Sequence, residues 1–281
     1  MNTGINIAIL DCKNFKSLLP DLCNKLNVKN IELPVQLWQK LKLETKYLNG
    51  LGVSGLSGLL NETDVFPMSI FVSEELFLKQ IEVLQSKLDV AYKLKCKNMS
   101  LGIDPFIDFS DLNYAEELFI DRVRYFAELA KKVNVAINLE YISYNVAHNN
   151  GNKKNSLFCN SINKAIDLID KIALDNVNLL LDFLHWYCDE HKPVFEDFFS
   201  YIGFVHICDH KQKDYSKIND LGRVLPGQGC LPITPFVNCL KYFGYQGPVT
   251  IEVFRSDKYQ PSDVEIKDAV LYVNKLWSKA V

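Results

Sequence analysis

Short runs rich in Val, Ile and Leu alternate with longer segments of helical period along the whole chain. This alternation narrows the possible folds more than any other feature of the sequence. The candidate strands are Ile5–Leu10, Asn30–Pro34, Leu51–Ser54, Asn98–Gly102, Val135–Tyr141, Val177–Asp182, Ile202–Ile207 and Val249–Val253. Amphipathic stretches lie between them, clearest at Ser73–Lys95, Tyr114–Val133 and Ile162–Ala173, with another at Asp263–Lys279. Continuous apolar strands suit a sheet covered on both faces. Their alternation with helices implies parallel strands joined by crossovers. Eight such units in 281 residues predict an α/β fold, a single-domain (β/α)₈ TIM barrel over residues 1–281. A doubly wound open sheet would normally carry a glycine-rich turn after the first strand, where this chain has Asp11-Cys12-Lys13. The two polar stretches that follow strands, Ser143–Asn155 and Asp209–Gly229, are expected to be βα loops on the face where barrel active sites lie.

Charge excludes several partners. The net charge is −3 and the pI about 6.0, giving no general pull toward nucleic acid or an anionic membrane. The segment MNTGINIAILDCKNF shows neither a basic stretch nor a long apolar run, so no leader is expected and the expected location is cytoplasmic. The eight cysteines are scattered without a C-x-x-C pair, which points to buried free thiols.

Four strands in the second half end on groups that bind hard cations. The fifth ends INLEYIS, with Glu140, and the sixth ends LLLDFLHWY, with Asp182 and His185. The seventh ends GFVHICDH, with His206 and Asp209, and the eighth VTIEVF, with Glu252. Ionisable groups inside apolar strands are costly to bury unless paired or bound to a metal. Asp182 alone reads best as a helix cap, and His206 alone as a satisfied core histidine. Four successive strands ending this way are harder to explain by capping. Three carboxylates and one imidazole favour Mn²⁺, Mg²⁺ or Co²⁺ over a thiolate-seeking ion, with Zn²⁺ also compatible.

With these residues in place, the chain resembles the xylose isomerase-like barrel superfamily, in particular its sugar isomerase and epimerase branch. The resemblance implies one divalent cation held by Glu140, Asp182, His206 and Glu252. The spacing L-D-x-x-H over Leu181–His185 implies a substrate contact for His185. The H-x-x-D spacing from His206 to Asp209 and the Arg223–Gly229 segment RVLPGQG match the family pattern as well, so Arg223 and Asp209 are expected at the substrate. Two departures stand out. A second glutamate expected shortly after Glu140 is absent from Tyr141–Val146, and Gln228 occupies the turn position where relatives often have Glu.

The implied chemistry is proton transfer next to a carbonyl through a metal-stabilised enediolate, with Glu140 and Glu252 flanking a small sugar or polyol-derived substrate. Which glutamate is the base stays open. A dehydratase acting on a keto-inositol would use a similar site, and a non-catalytic sugar-binding barrel is a third reading. DNA-repair endonucleases of the superfamily need extra histidines from the first half of the barrel, whereas the first histidine here is His148. Homodimers or homotetramers are expected from the resemblance. Glu32 is expected to support the site rather than react, and Asp104 to cap the next segment. Trp38 and Trp186 read as packing or pocket wall. His148, His191 and His210 read as exposed loop residues, with His210 nearest the site, and Lys211–Lys217 as a solvated charge run or a lid.

Overall fold

A computed structural model describes residues 3–10, 21, 23–34, 48, 50–58, 70–151, 156–254 and 256–279. The strands are β1 (Gly4–Asn6), β2 (Asn30–Pro34), β3 (Gly52–Ser57), β4 (Asn98–Ile103), β5 (Ala136–Tyr141), β6 (Val177–Asp182), β7 (Ile202–Ile207) and β8 (Val249–Ile251). Each pairs in parallel with its sequence neighbours, and β1 pairs with β8, so the sheet closes into an eight-stranded barrel. Helices with both ends among the described residues include α1 (Glu74–Leu94), α2 (Leu112–Lys131), α3 (Tyr144–Asn149), α4 (Ile162–Ile172), α5 (Phe183–Cys188), α6 (Phe195–Phe198), α7 (Ile233–Tyr242) and α8 (Asp263–Ser278).

Helix starts follow local capping chemistry. The side chains of Ser73, Asp111, Ser161 and Ser262 accept from the first-turn amides of α1, α2, α4 and α8. Ser262 and Glu265 close a full capping box. Asp111, not Asp104, therefore starts α2, which corrects the expected role of Asp104; Asp104 is instead buried near the barrel mouth. The first strand is also shorter than its apolar run. Asn6 accepts from the Ala8 amide and turns Ile7–Ile9 into a 3₁₀ turn, because a local side-chain acceptor competes with the sheet ladder.

The barrel interior is filled by side chains rather than left open. Phe204 on β7 presses against Gly55 on β3, where a Cβ would lie 2.8 Å from its ring, so any larger residue there would force the ring to shift. Outside the barrel, α2 buries Phe119, Val123, Phe126 and Ala127. Phe119 packs against Phe71 and Phe158 at ring separations of 6.1 and 5.4 Å. Trp186 also packs, against Phe183 and Phe236. Trp38 lies outside the described residues. No described helix is long and apolar enough to cross a membrane.

Phe119 is 1% exposed, so Phe119→Ala should cost about 3–5 kcal/mol through lost burial and a cavity. Urea denaturation should show a lower midpoint with an unchanged slope. A loss below about 1 kcal/mol would contradict the packing described.

Candidate metal and substrate site

The C-terminal mouth of the barrel gathers the four expected ligands. Glu140 is the penultimate residue of β5, Asp182 ends β6, His206 lies on β7, and Glu252 follows β8 while still bonding its amide to the Ile207 carbonyl. One donor atom from each falls within 4.8 Å of the others. His206 Nδ1 is 3.2 Å from Glu252 Oε2, 3.6 Å from Glu140 Oε1 and 4.0 Å from Asp182 Oδ2. These approaches lack hydrogen-bond geometry, and Nδ1 is buried without a hydrogen-bond partner.

The other ring nitrogen explains this orientation. His206 Nε2 lies 2.7 Å from Glu32 Oε2, and both side chains are 1% exposed. With one proton held on Nε2 toward Glu32, loss of the proton from Nδ1 would turn a lone pair toward the three carboxylates. That arrangement calls for a positive charge at its centre. A divalent cation meets the demand, and three oxygens with one imidazole suit a hard or borderline ion. A carboxylate behind a metal-facing histidine is the usual outer support of such sites.

Asp182 serves two masters. Its Oδ1 accepts from the amides of Leu184 and His185 at 2.7 and 3.3 Å, capping α5, while Oδ2 faces His206 and accepts from Arg223 Nη1 at 2.6 Å. Capping and ligation are thus compatible in one carboxylate. Arg223 also reaches Glu252 at 3.4 Å, Asp220 at 2.7 Å and His185 Nε2 at 3.3 Å. Asn6 Nδ2 donates to the far oxygen of Glu252 at 3.4 Å.

A cavity of about 530 Å³ opens above the cluster. Glu140, Glu252, His185 and Arg223 line it together with Asp220 and Asn150, and Pro105, Ile142 and Phe254 supply apolar wall. Asp209 is not among the lining residues. Its Oδ2 accepts from the amides of Gly227 and Gly229, and its Oδ1 from His210 and Leu231, at 2.8 to 3.1 Å. A Cβ at residue 229 would sit 2.2 Å from Asp209 Oδ1, so the turn needs glycine there. This geometry replaces the expected substrate contact of Asp209 with an organising role in the loop after β7.

Gln228 turns outward to Glu265 and Tyr259. His210 is buried, contrary to expectation, with Nδ1 accepting from the Gln212 amide at 2.9 Å, and it does not line the cavity. His148 and His191 are exposed as expected. Cys23, Cys96, Cys159, Cys188 and Cys208 are buried free thiols, whereas Cys230 is exposed. Sequence reasoning missed Asp220, Asn150 and Asn6. Asp220 sits in a run of alternating charges, and the other two are amides in polar or strand-end contexts without a spacing signal.

The profile of the xylose isomerase-like TIM barrel family matches residues 39–276. The chain belongs to that family. An inosose isomerase of Halalkalibacterium halodurans is 27% identical over 141 residues, which are 50% of this chain and 46% of that one. The chain thus spans about half the length of the curated relative it matches. A xylose isomerase domain protein from Alicyclobacillus acidocaldarius has the same fold, with a TM-score of 0.81 and 22% identity over 98% of both chains. The IolI protein, solved with a zinc atom bound, gives a TM-score of 0.76 at 20% identity over 99% of this chain and 98% of that one.

Electrostatics would make cation capture at this cluster pH-dependent. Burial pushes the Glu140 carboxyl above its usual range, and Glu252 and Asp182 add to that push against the pull of His206. Burial alone would lower His206, but the charges of Glu252 and Glu32 outweigh it and hold the ring well above its ordinary value. Burial also works against the charged form of Asp182, yet Arg223, His185 and His206 keep it below the usual carboxylate range. Protons raised in this way must leave when a cation enters. Mn²⁺ affinity should therefore rise with pH as these raised protons are lost, with proton release on binding. Calorimetry in buffers of different ionisation enthalpy checks this; binding without proton release would contradict it.

Proposed function

We propose that this protein is a divalent-metal-dependent isomerase or epimerase of a small sugar-like ketone, with a keto-inositol such as an inosose as the first substrate class to test. The observation that carries the reading is the unpartnered Nδ1 of His206, turned toward Glu140, Asp182 and Glu252 at the floor of an open cavity. The inosose isomerase relative supports the substrate class, and the zinc in the IolI protein supports a divalent ion.

Glu140, Asp182, His206 and Glu252 would hold the ion, which supplies Lewis-acid polarisation of a carbonyl. The chain's own residues do the rest. Glu140 and Glu252 both line the cavity and come from strands three apart around the barrel, so they can meet a substrate from different sides. One can remove the proton from the carbon next to the carbonyl and the other can return it. Return to the opposite face of the same carbon gives epimerisation, and return to the neighbouring carbon gives isomerisation. His185 lines the cavity beside Arg223, and this supports reading the pair as the groups that would hold a substrate hydroxyl. Ile142 and Phe254 give the substrate an apolar wall beside these groups.

The test is to incubate the Mn²⁺-loaded protein with an inosose in D₂O and follow the products by proton NMR. Deuterium at the carbon next to the carbonyl, with a new isomer, is expected. Glu140→Gln and Glu252→Gln should each lower the rate by about 10²–10⁴-fold. A product lighter by one water would replace this reading with the dehydratase, and an unexchanged ketone would remove the inosose class.

A further inference from the structure

Arg223 stands between two sets of carboxylates. Its Nη1 donates to Asp182 at 2.6 Å and reaches Glu252 at 3.4 Å, both members of the ligand cluster. Its other edge turns outward, where Nε and Nη2 donate to Asp220 Oδ1 at 3.0 and 2.7 Å. Asp220 is held in turn from the rim. Asn150 Nδ2 donates to its Oδ2 at 2.6 Å, and the Asp220 amide donates back to Asn150 Oδ1 at 3.1 Å. Asn149 ties the same two loops, donating to the carbonyls of Ser216 and Ile218 at 2.9 and 2.8 Å. A hydrogen-bonded chain thus runs from Asn150 through Asp220 and Arg223 to Asp182, from the cavity mouth to its floor.

Charge gives this chain a consequence. A guanidinium keeps its proton in proteins, so Arg223 stays positive beside the ligands. That charge repels an incoming divalent cation and competes with it for the oxygens of Asp182 and Glu252. Asp220 draws the opposite edge of the guanidinium outward and balances its charge. Arg223 is 3% exposed, so water gives little screening.

We propose that Asp220 is a positioning residue that sets the cluster's affinity for a divalent cation by balancing the charge of Arg223 and sharing its donors, beside Asp182 and Glu252. This rests on the metal-site reading above. Asn150 acts one step further out, by fixing Asp220.

A residue that only shapes the loop would behave differently, and the sign of a double variant separates the two. Mn²⁺ is titrated calorimetrically into metal-free, full-length wild type, Asp220→Asn, Arg223→Met and the double variant, each first checked for a cooperative melt. Asp220→Asn should weaken binding about 10–100-fold, the usual range for losing an outer support. Adding Arg223→Met should recover most of that loss, because the unbalanced cation has gone. Asp220→Asn binding like wild type, or a double variant as weak as the single one, would overturn the proposal. Should Asp220→Asn fail to fold, Arg223→Met decides alone: binding at least as tight as wild type supports the proposal, and weaker binding overturns it. A wild-type protein that binds no Mn²⁺ would overturn the metal reading itself and this inference with it.

Discussion

The contact between His206 Nε2 and Glu32 governs the chemistry of the barrel mouth. It fixes the ring on β7 and leaves Nδ1 facing three carboxylates contributed by β5, β6 and the segment after β8. Every other feature of the site accommodates that concentration of negative charge. Asp182 is stabilised by two helix amides and by Arg223, and Arg223 is balanced by Asp220. Such an arrangement is costly to bury without a compensating cation, and a buried ionic network tolerates the loss of one member poorly. The barrel supplies what the cluster needs: strand ends that converge and a packed interior that holds them rigid.

The wall above the cluster is a separate layer. It is built mainly from the loops after β5 and β7, with Pro105 after β4 and Phe254 after β8, and these two loops carry only α3, short 3₁₀ turns and short two-stranded pairings. Asp209 organises one of these loops through four backbone amides, and Asn149 and Asn150 tie it to the other. Residues that shape the wall are therefore distinct from those that form the floor. This division lets one floor of fixed charges serve different substrates when loops change.

The floor was legible in the sequence because its signal is local. Glu140, Asp182, His206 and Glu252 stand out as charges ending apolar strands, and the predicted bounds of β2, β6 and β7 match the structure. The wall was less legible. Asp209 fitted a family spacing, yet its oxygens go to a turn whose shape depends on Gly227 and Gly229. Asp220 gave no signal because its importance comes from Arg223 and Asn150, contacts that only the folded loops create. Asn6 ended the first strand early through a side-chain bond that apolar periodicity does not register. Glu32 was read as a supporting residue, but its partner, 174 positions away, appears only once the barrel closes.

The central claim is that four side chains form one mononuclear cation site. Its most direct test is metal stoichiometry. Protein stripped of metal, incubated with Mn²⁺ and freed of excess should retain one equivalent by elemental analysis, and His206→Ala should retain far less. Retention of two or more equivalents, of none, or of as much in His206→Ala as in wild type would contradict the account. The four residues would then be a polar network of another kind.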